Sequence, residues 1–380
     1  MKIVVAPDSF KGSLSALEAA RRIGEGLARV WPRAEIVLFP IADGGEGTVA
    51  TMMALTNGRP VTGETVDPLG RPVRAEYGFL GGTRTAVVEM AAASGLTRLS
   101  KQELDPLRAS TYGFGLQIRQ ALAAGAEKLI AGLGGSATND CGVGMLAALG
   151  LRLFDRDGNP VEAIPAMLKK VARIDASGLL PEFAAMPILV ASDVQNPLVG
   201  PDGASAVFGP QKGATPDQVP VLDDCLRHFA TLAGALVGRD VLESPGAGAA
   251  GGLGAAFKLF TACEFKPGVE VVLTEGRFLE KAKGANLIVT GEGRSDGQTI
   301  WGKAPVGVAA LGRRLGAPTV CLAGGLGEGY EKMYQKDIAG LMPMLPGPLT
   351  LEEAMAGAGP ILAEAAERLG RLVALTVDQS

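Results

Sequence analysis

Histidine is nearly missing from this sequence, and that narrows the chemistry before any motif is read. His228 is the only one in 380 residues. A Ser-His-Asp hydrolase would have to be built around it, and a zinc site would find no second imidazole. It lies in a helical stretch between Val219 and Leu236, where packing accounts for it. Cysteine is sparse too. Cys141, Cys225, Cys263 and Cys321 form no C-x-x-C pair, so four separate buried thiols in a reducing compartment are expected. There is no dense Lys/Arg block and no basic stripe with interleaved aromatics, and the formal charge is −4. Nucleic acid is therefore not an expected partner. No apolar run approaches the roughly 18 residues of a membrane helix, and Lys2 is followed only by Ile3-Val4-Val5-Ala6 before Pro7 and Asp8. That start reads as a buried strand, not a secretory leader. The expectation is a cytoplasmic protein with no membrane partner, whose general base is a carboxylate and whose metal is a hard cation bound through oxygen.

What is present suits two domains. Hydrophobic residues make up 47% and charged residues 20% of the chain, enough for sizeable cores at a length too great for one. Lys2–Ala6 is a β-branched run, after which Leu14, Leu17, Ala20, Ile23, Leu27 and Val30 recur at helical spacing. Ser15 and Glu18 form a capping-box signature at that helix's start, and Pro32 stops it. Strands are expected at Glu35–Phe39, Asn286–Val289, Thr319–Ala323 and Ile338–Met342. Helices are expected at Thr48–Leu55, Pro305–Leu315 and Leu351–Leu372, the last broken at Gly359-Pro360. Alternating strands and helices imply a parallel sheet covered on both faces. Between them, Val61–Val66, Val73–Leu80 and Thr85–Met90 read as strands in antiparallel pairing. The expected architecture is α/β: a flavodoxin-like parallel-sheet domain from residues 1–57 plus 284–380, with a second mixed-sheet α/β domain, 58–283, inserted into it. Pro245–Ala256 reads either as a flexible linker or as a helix entrance.

In open parallel sheets, ligands bind beyond the carboxyl ends of the strands. Turns rich in carboxylates and glycine follow the strands of the outer domain: Ala6–Gly12, Pro40–Gly47, Thr290–Asp296 and Gly324-Gly325. Each stretch alone is an ordinary polar turn. Several at one end of a sheet suggest a site for Mg²⁺ and phosphate. The element most like a phosphate cradle is Leu133–Asp140, LGGSATND, between the strand Lys128–Ala131 and a helical run around Gly144–Leu149. It is neither a Walker A loop nor a dinucleotide fingerprint. Asp193 ends the strand Ile188–Ala191 as a candidate base or metal ligand, with an ordinary Asx turn as the alternative. Lys212, in a Gly/Pro-rich loop, is either a phosphate neutraliser or a solvated lysine.

Eight phrases, in order, carry a resemblance: APDSFKGSLSA (6–16), ADGGEGT (42–48), VEMAAASGL (88–96), GLGGSATND (132–140), SDVQNPLVG (192–200), VFGPQKGA (207–214), PGAGAAGGLGA (245–255), and GEGRSDGQT with GK (291–299, 302–303). Together they resemble the bacterial glycerate kinase family of the glycerate 2-kinase type. One departure is visible: the family continues GGSATND with two glycines, and this chain has Cys141-Gly142. The resemblance implies ATP, Mg²⁺ and D-glycerate, with 2-phosphoglycerate as product. For that chemistry, Lys11, Arg294 and Lys303 are the expected cations, Lys303 on the nucleotide side. Asp43, Glu46 and Glu292 are the expected Mg²⁺ ligands. Gly134, Gly135, Ser136, Thr138 and Asn139 are expected at the ATP phosphates. Asp193 is the first choice for taking the glycerate hydroxyl proton, with Asp8 and Asp296 as rivals. A kinase of another small hydroxy acid, a dinucleotide-dependent oxidoreductase and a non-enzymatic binding protein remain as alternatives. A homodimer is compatible with the sequence and not required by it.

Overall fold

The computed structural model describes residues 1–377. By the clustering of its contacts the chain divides into two compact units, Met1–Asp43 with Val269–Ser380, and Gly44–Gly268.

The first unit is a five-stranded sheet in the spatial order Glu35–Leu38, Lys2–Pro7, Leu287–Ser295, Thr319–Leu326, Ile338–Pro343, every pair parallel. Numbered along the chain this is 2-1-3-4-5, the flavodoxin-like order, which switches direction beside the strand Lys2–Pro7. Ile3, Val5, Leu287 and Val289 are buried against Ile23, Leu27 and Leu362. Each contributes about 1.5–3 kcal/mol of burial. The helix Ala16–Val30 begins at the expected capping box, with both Ser15 and Glu18 bonds formed. It packs on the helix Ala358–Val377. At their crossing a Cβ on Gly26 would stand 2.0 Å from the carbonyl oxygen of Ala363, so only glycine allows the approach.

The second unit carries a six-stranded mixed sheet in the order Cys263–Lys266, Ile188–Ala191, Lys128–Gly132, Thr85–Glu89, Pro72–Phe79, Arg59–Val66. The first four strands are mutually parallel, and the last three form the expected antiparallel meander. Its core holds Val88, Leu129 and Val190 with Phe114, Phe183 and Phe257. Phe114 meets Phe257 edge-on at 6.5 Å. His228 lies in the helix Gln218–Val237 and its Nε2 is 2.7 Å from the carbonyl oxygen of Val171, which is a packing role.

Four details depart from the sequence reading. Residues 44–57 cluster with the middle of the chain and 269–283 with its ends. The helix Thr48–Thr56 packs on the meander strands, while Phe278 stacks edge-on against Phe39 at 4.9 Å. The strand after Asn286 does not stop at Val289 but runs to Ser295, pairing Glu292 with Ala323 and Arg294 with Gly325. The C-terminal helix breaks at Gly357, and Pro360 sits in the first turn of the next helix, where it costs nothing. All four cysteines are free, but Cys263 is only half-buried.

Candidate active site

At the carboxyl edge of the first unit's sheet, the extended strand Leu287–Ser295 lies beside the turn that follows Lys2–Pro7. Glycine makes this approach possible: a Cβ on Gly293 would already press on Phe10 and Lys11 at 3.3 Å. The Asp8 amide donates to the Gly291 carbonyl at 2.8 Å, and its carboxylate accepts from the Ser9 amide at 2.6 Å. Burial, then the neighbouring Asp43 carboxylate, push Asp8 up to about 7. The Ser9 amide and Lys11 pull it back, and Glu292 adds to the rise. Lys11 Nζ stands 3.6 Å from Asp43 Oδ2. The structure thus brings Asp8, Lys11, Asp43 and Glu292 to one edge.

Glu292 is differently placed from its two fellow acids. Its Oε1 accepts from Ser295 Oγ at 2.9 Å and Thr299 Oγ1 at 2.8 Å, while Oε2 faces Lys303 Nζ at 4.0 Å. Burial raises it, and the two hydroxyls and Lys303 oppose the rise. This carboxylate ties the segment 295–303 to the strand. Asp296 is similarly engaged: Oδ1 accepts from the Gln298 amide at 2.9 Å and Oδ2 pairs with Arg294 Nε at 3.5 Å. The cations remain open to solvent, with side chains 81% (Lys11), 72% (Arg294) and 43% (Lys303) exposed.

In the second unit the glycine-rich loop is gripped from several sides. The Gly134 amide donates to the Gly44 carbonyl at 3.0 Å, the Leu96 amide to Gly135 at 2.8 Å, the Ala137 amide to Ser94 at 3.0 Å and the Cys141 amide to Gly251 at 3.0 Å. A Cβ on Gly134 would fall 2.6 Å from the Cα of Gly45. Parts of the sequence phrases around 44, 94, 134 and 251 therefore meet here. Only Gly134 and Gly135 reach solvent, whereas Ser136, Thr138 and Asn139 are buried. Thr138 Oγ1 and Asn139 Oδ1 have no partner. Asp193 is exposed at its strand end and Glu46 is exposed after Gly45.

The expected helix N-terminus is not available to a phosphate. The helix Val143–Ala148 has six residues, and Asp140 already occupies its start. The Asp140 carboxylate accepts from the amides of Gly142 (2.9 Å), Gly144 (3.2 Å) and Thr111 (2.8 Å) and from Thr111 Oγ1 (2.8 Å). Burial pushes this acid up and the donors pull it down. Three of the four are amides, which only an accepting carboxylate satisfies. An anion would meet the exposed Gly135 instead, because the Gly134 amide is already bonded.

Three residues of consequence were missed or underrated. Glu89, at the end of Thr85–Glu89, accepts from the amides of Val49 at 2.9 Å and Gly47 at 3.3 Å, capping the helix Thr48–Thr56 from a distance. Burial pushes it up to about 7 against those bonds. Lys212 is fully buried and donates to Ser136 Oγ at 2.8 Å and the Thr138 carbonyl at 2.6 Å. Ala250, Gly251 and Gly252 are consecutive left-handed residues that kink the helix Ala249–Phe260 against the loop. The ADGGEGT, VEMAAASGL and QKG phrases were the available signals for Glu89 and Lys212; nothing local announced Ala250.

Among the described residues no three His, Cys, Asp or Glu side chains gather closely enough to hold a metal by themselves. Mg²⁺ asks for less: one or two carboxylates, with water and substrate phosphates completing its octahedron. Asp43 with Asp8 beside it meets that demand, and the repulsion that raises Asp8 is what a cation would relieve. A cavity of about 660 Å³ in the second unit, lined by Val66, Arg108, Tyr112, Leu153 and Phe154 among others, contains none of the residues expected at the site.

A flavodoxin-like sheet edge with paired carboxylates and exposed cations, in a chain that also carries a glycine loop, is the equipment of a phosphotransferase, where catalysis is mostly positioning and charge. Comparison with known proteins narrows the class. The model of the glycerate kinase family matches residues 3–374. The chain is 46% identical to glycerate kinase of Halalkalibacterium halodurans over 97% of both chains. It is 44% identical to glycerate 2-kinase of Escherichia coli K12 over 99% of this chain and 98% of that one. A crystal structure from Salmonella typhimurium LT2, assigned as glycerate kinase 2, superposes with a TM-score of 0.88 at 44% identity, covering 100% of this chain and 99% of the other. The chain belongs to the glycerate kinase family.

Proposed function

We propose that this kinase transfers the γ-phosphoryl group of ATP to the 2-hydroxyl of D-glycerate, giving 2-phosphoglycerate and ADP, and that it works in the cytoplasm, where its four free thiols are stable. The observation that carries the reading is the Asp8–Asp43–Lys11 group at the carboxyl edge of the first unit's sheet. Asp8, held near 7, is poised to accept a proton at neutral pH, and it replaces Asp193 as our first choice of base. In the proposed step the glycerate hydroxyl oxygen bonds to the γ-phosphorus as its proton passes to Asp8, and the bond to the β-phosphate bridging oxygen breaks. Lys11, Arg294 and Lys303 supply positive charge for the glycerate carboxylate and the moving phosphoryl group. Asp43 would hold Mg²⁺, which when bound neutralises phosphate charge. Glu292 orients Lys303 and the segment before it. In the second unit the exposed turn at Gly135 is proposed to receive nucleotide phosphate, since the Gly134 amide is already given to the Gly44 carbonyl.

Incubation with ATP, MgCl₂ and D-glycerate, followed by proton-coupled phosphorus NMR, tests this. A new phosphomonoester doublet, from the single proton on C2, is expected. A triplet from C3 would move the product to 3-phosphoglycerate, and absence of turnover would remove the proposal. An NADH thermal-shift control separates the dehydrogenase alternative.

A further inference from the structure

The most unusual charged group outside the assigned residues is Lys212. It is 1% exposed, and among the described residues no carboxylate forms an ion pair with it. A buried lysine without a paired carboxylate is costly and is not retained for packing alone. Its Nζ ties two points of the glycine-rich loop together, donating to Ser136 Oγ and to the Thr138 carbonyl. Directly above Ser136 in the chain are Gly134 and Gly135, the part of the loop that solvent reaches. Beside it Thr138 Oγ1 and Asn139 Oδ1 are buried with no partner, so the loop's polar groups are incompletely satisfied as they stand.

We propose that Lys212 is the positioning residue of the nucleotide site: it braces the loop 133–140 in the shape that receives phosphate and becomes the fixed counter-charge beneath that phosphate when nucleotide binds. This rests on the reading that nucleotide phosphate lies on the exposed turn at Gly135. Lys212 does not touch the reacting atoms; it acts through the loop.

The brace has a second property. Burial lowers Lys212 to about 7, and Asp140 is the charged group that opposes the fall. Near neutral pH the lysine is therefore only partly protonated while the loop is empty. A phosphate charge at the loop favours the ammonium form. Nucleotide binding must then draw a proton onto the protein, to an extent that grows as pH rises through about 7.

The test is isothermal titration with Mg·ADP at pH 6, 7 and 8, each in two phosphate-free buffers of different ionisation enthalpy. Proton uptake that climbs with pH is expected for the unaltered protein. Lys212→Met should abolish the climb and raise the KM for ATP roughly tenfold or more, with kcat and the KM for glycerate within about twofold. Lys212→Arg, charged at every pH, should bind without the uptake. If Lys212→Met fails to fold, Lys212→Arg decides: an uptake that persists in it belongs to another group, Asp8 or Glu89 included, and overturns the role. A flat course, or a climb that persists in Lys212→Met, overturns the role. No binding of Mg·ADP and no turnover would instead remove the nucleotide site, and this inference with it.

Discussion

Gly251→Ala is the sharpest probe of how the loop is built. Gly251 has φ +68°, between Ala250 at +51° and Gly252 at +89°. A Cβ there would stand 2.0 Å from the Thr138 carbonyl oxygen and 2.6 Å from the Asn139 Cα. Both obstacles are backbone, so no side chain can swing aside; the loop must retreat by roughly 1 Å to restore van der Waals contact. Three costs combine. The left-handed alanine costs about 1–2 kcal/mol, the overpacking about 1–3 kcal/mol, and the strained Cys141 amide to Gly251 carbonyl bond about 1 kcal/mol. A destabilisation of roughly 3–6 kcal/mol follows, measurable by urea denaturation. A 1 Å shift at a binding loop typically costs about 10²-fold in rate. Gly125→Ala is the control, because Gly125 is also left-handed, at φ +89°, but meets nothing within 4 Å. It should lose only the roughly 1–2 kcal/mol of the left-handed alanine, and no activity. If the two variants are equally stable, or Gly251→Ala keeps full kcat/KM, the close packing of kink and loop has no bearing on function.

Lys11→Ala and Asp8→Asn should each lower turnover by roughly 10²–10⁴-fold in folded protein, and near-normal rates would remove either residue from the mechanism. Asp8 also sets a pH dependence. Its carboxyl is raised from 3.8 to about 7, so the folded state holds a proton that the unfolded chain releases, and stability falls as pH rises from about 4 to 7, by at most roughly 4 kcal/mol. In EDTA, Asp8→Asn should therefore gain about 1–3 kcal/mol relative to the unaltered protein on going from pH 5 to pH 8; an unchanged difference in urea midpoints would refute the burial argument. Cys141 is buried with φ +54°. Cys141→Gly loses about 1–1.5 kcal/mol of buried side chain and relieves about 1 kcal/mol of backbone strain, so a change within about 1 kcal/mol is expected. A loss above about 2 kcal/mol would show that the thiol is a packing element.

The outer sheet was legible because its signals are local. Ser15 and Glu18 mark a helix start within four residues, and the β-branched run Lys2–Ala6 needs no distant partner to be read. The middle strands were legible by alternation, although sequence could not show that Thr85–Glu89 pairs antiparallel on one edge and parallel on the other. The extent of the strand Leu287–Ser295 was hidden because Gly291, Glu292 and Gly293 look like turn residues. They stay extended through pairing with Thr319–Leu326 and, at Gly291, with Pro7. Site chemistry was legible as residue type and not as role. Glu292 and Asp43 read alike in sequence, yet one is consumed by Ser295 and Thr299 while the other faces Lys11. Lys212 read as a loop lysine because burial is a property of the whole fold. The left-handed run at Ala250 had no signature, since alanine does not advertise that conformation.

The first unit's central strands, Lys2–Pro7 and Leu287–Ser295, are neighbours in space and distant in the chain. During synthesis the early strands must therefore wait for the distal portion, roughly 13–51 s at 5–20 residues per second. The intervening unit, Gly44–Gly268, is contiguous and has no such delay. Until translation passes residue 295, the strand Lys2–Pro7 has only Glu35–Leu38 to pair with and exposes its other edge. For the nascent polypeptide that interval is the window of greatest exposure to aggregation, and Glu292 joins the Asp8–Asp43 group only when it closes.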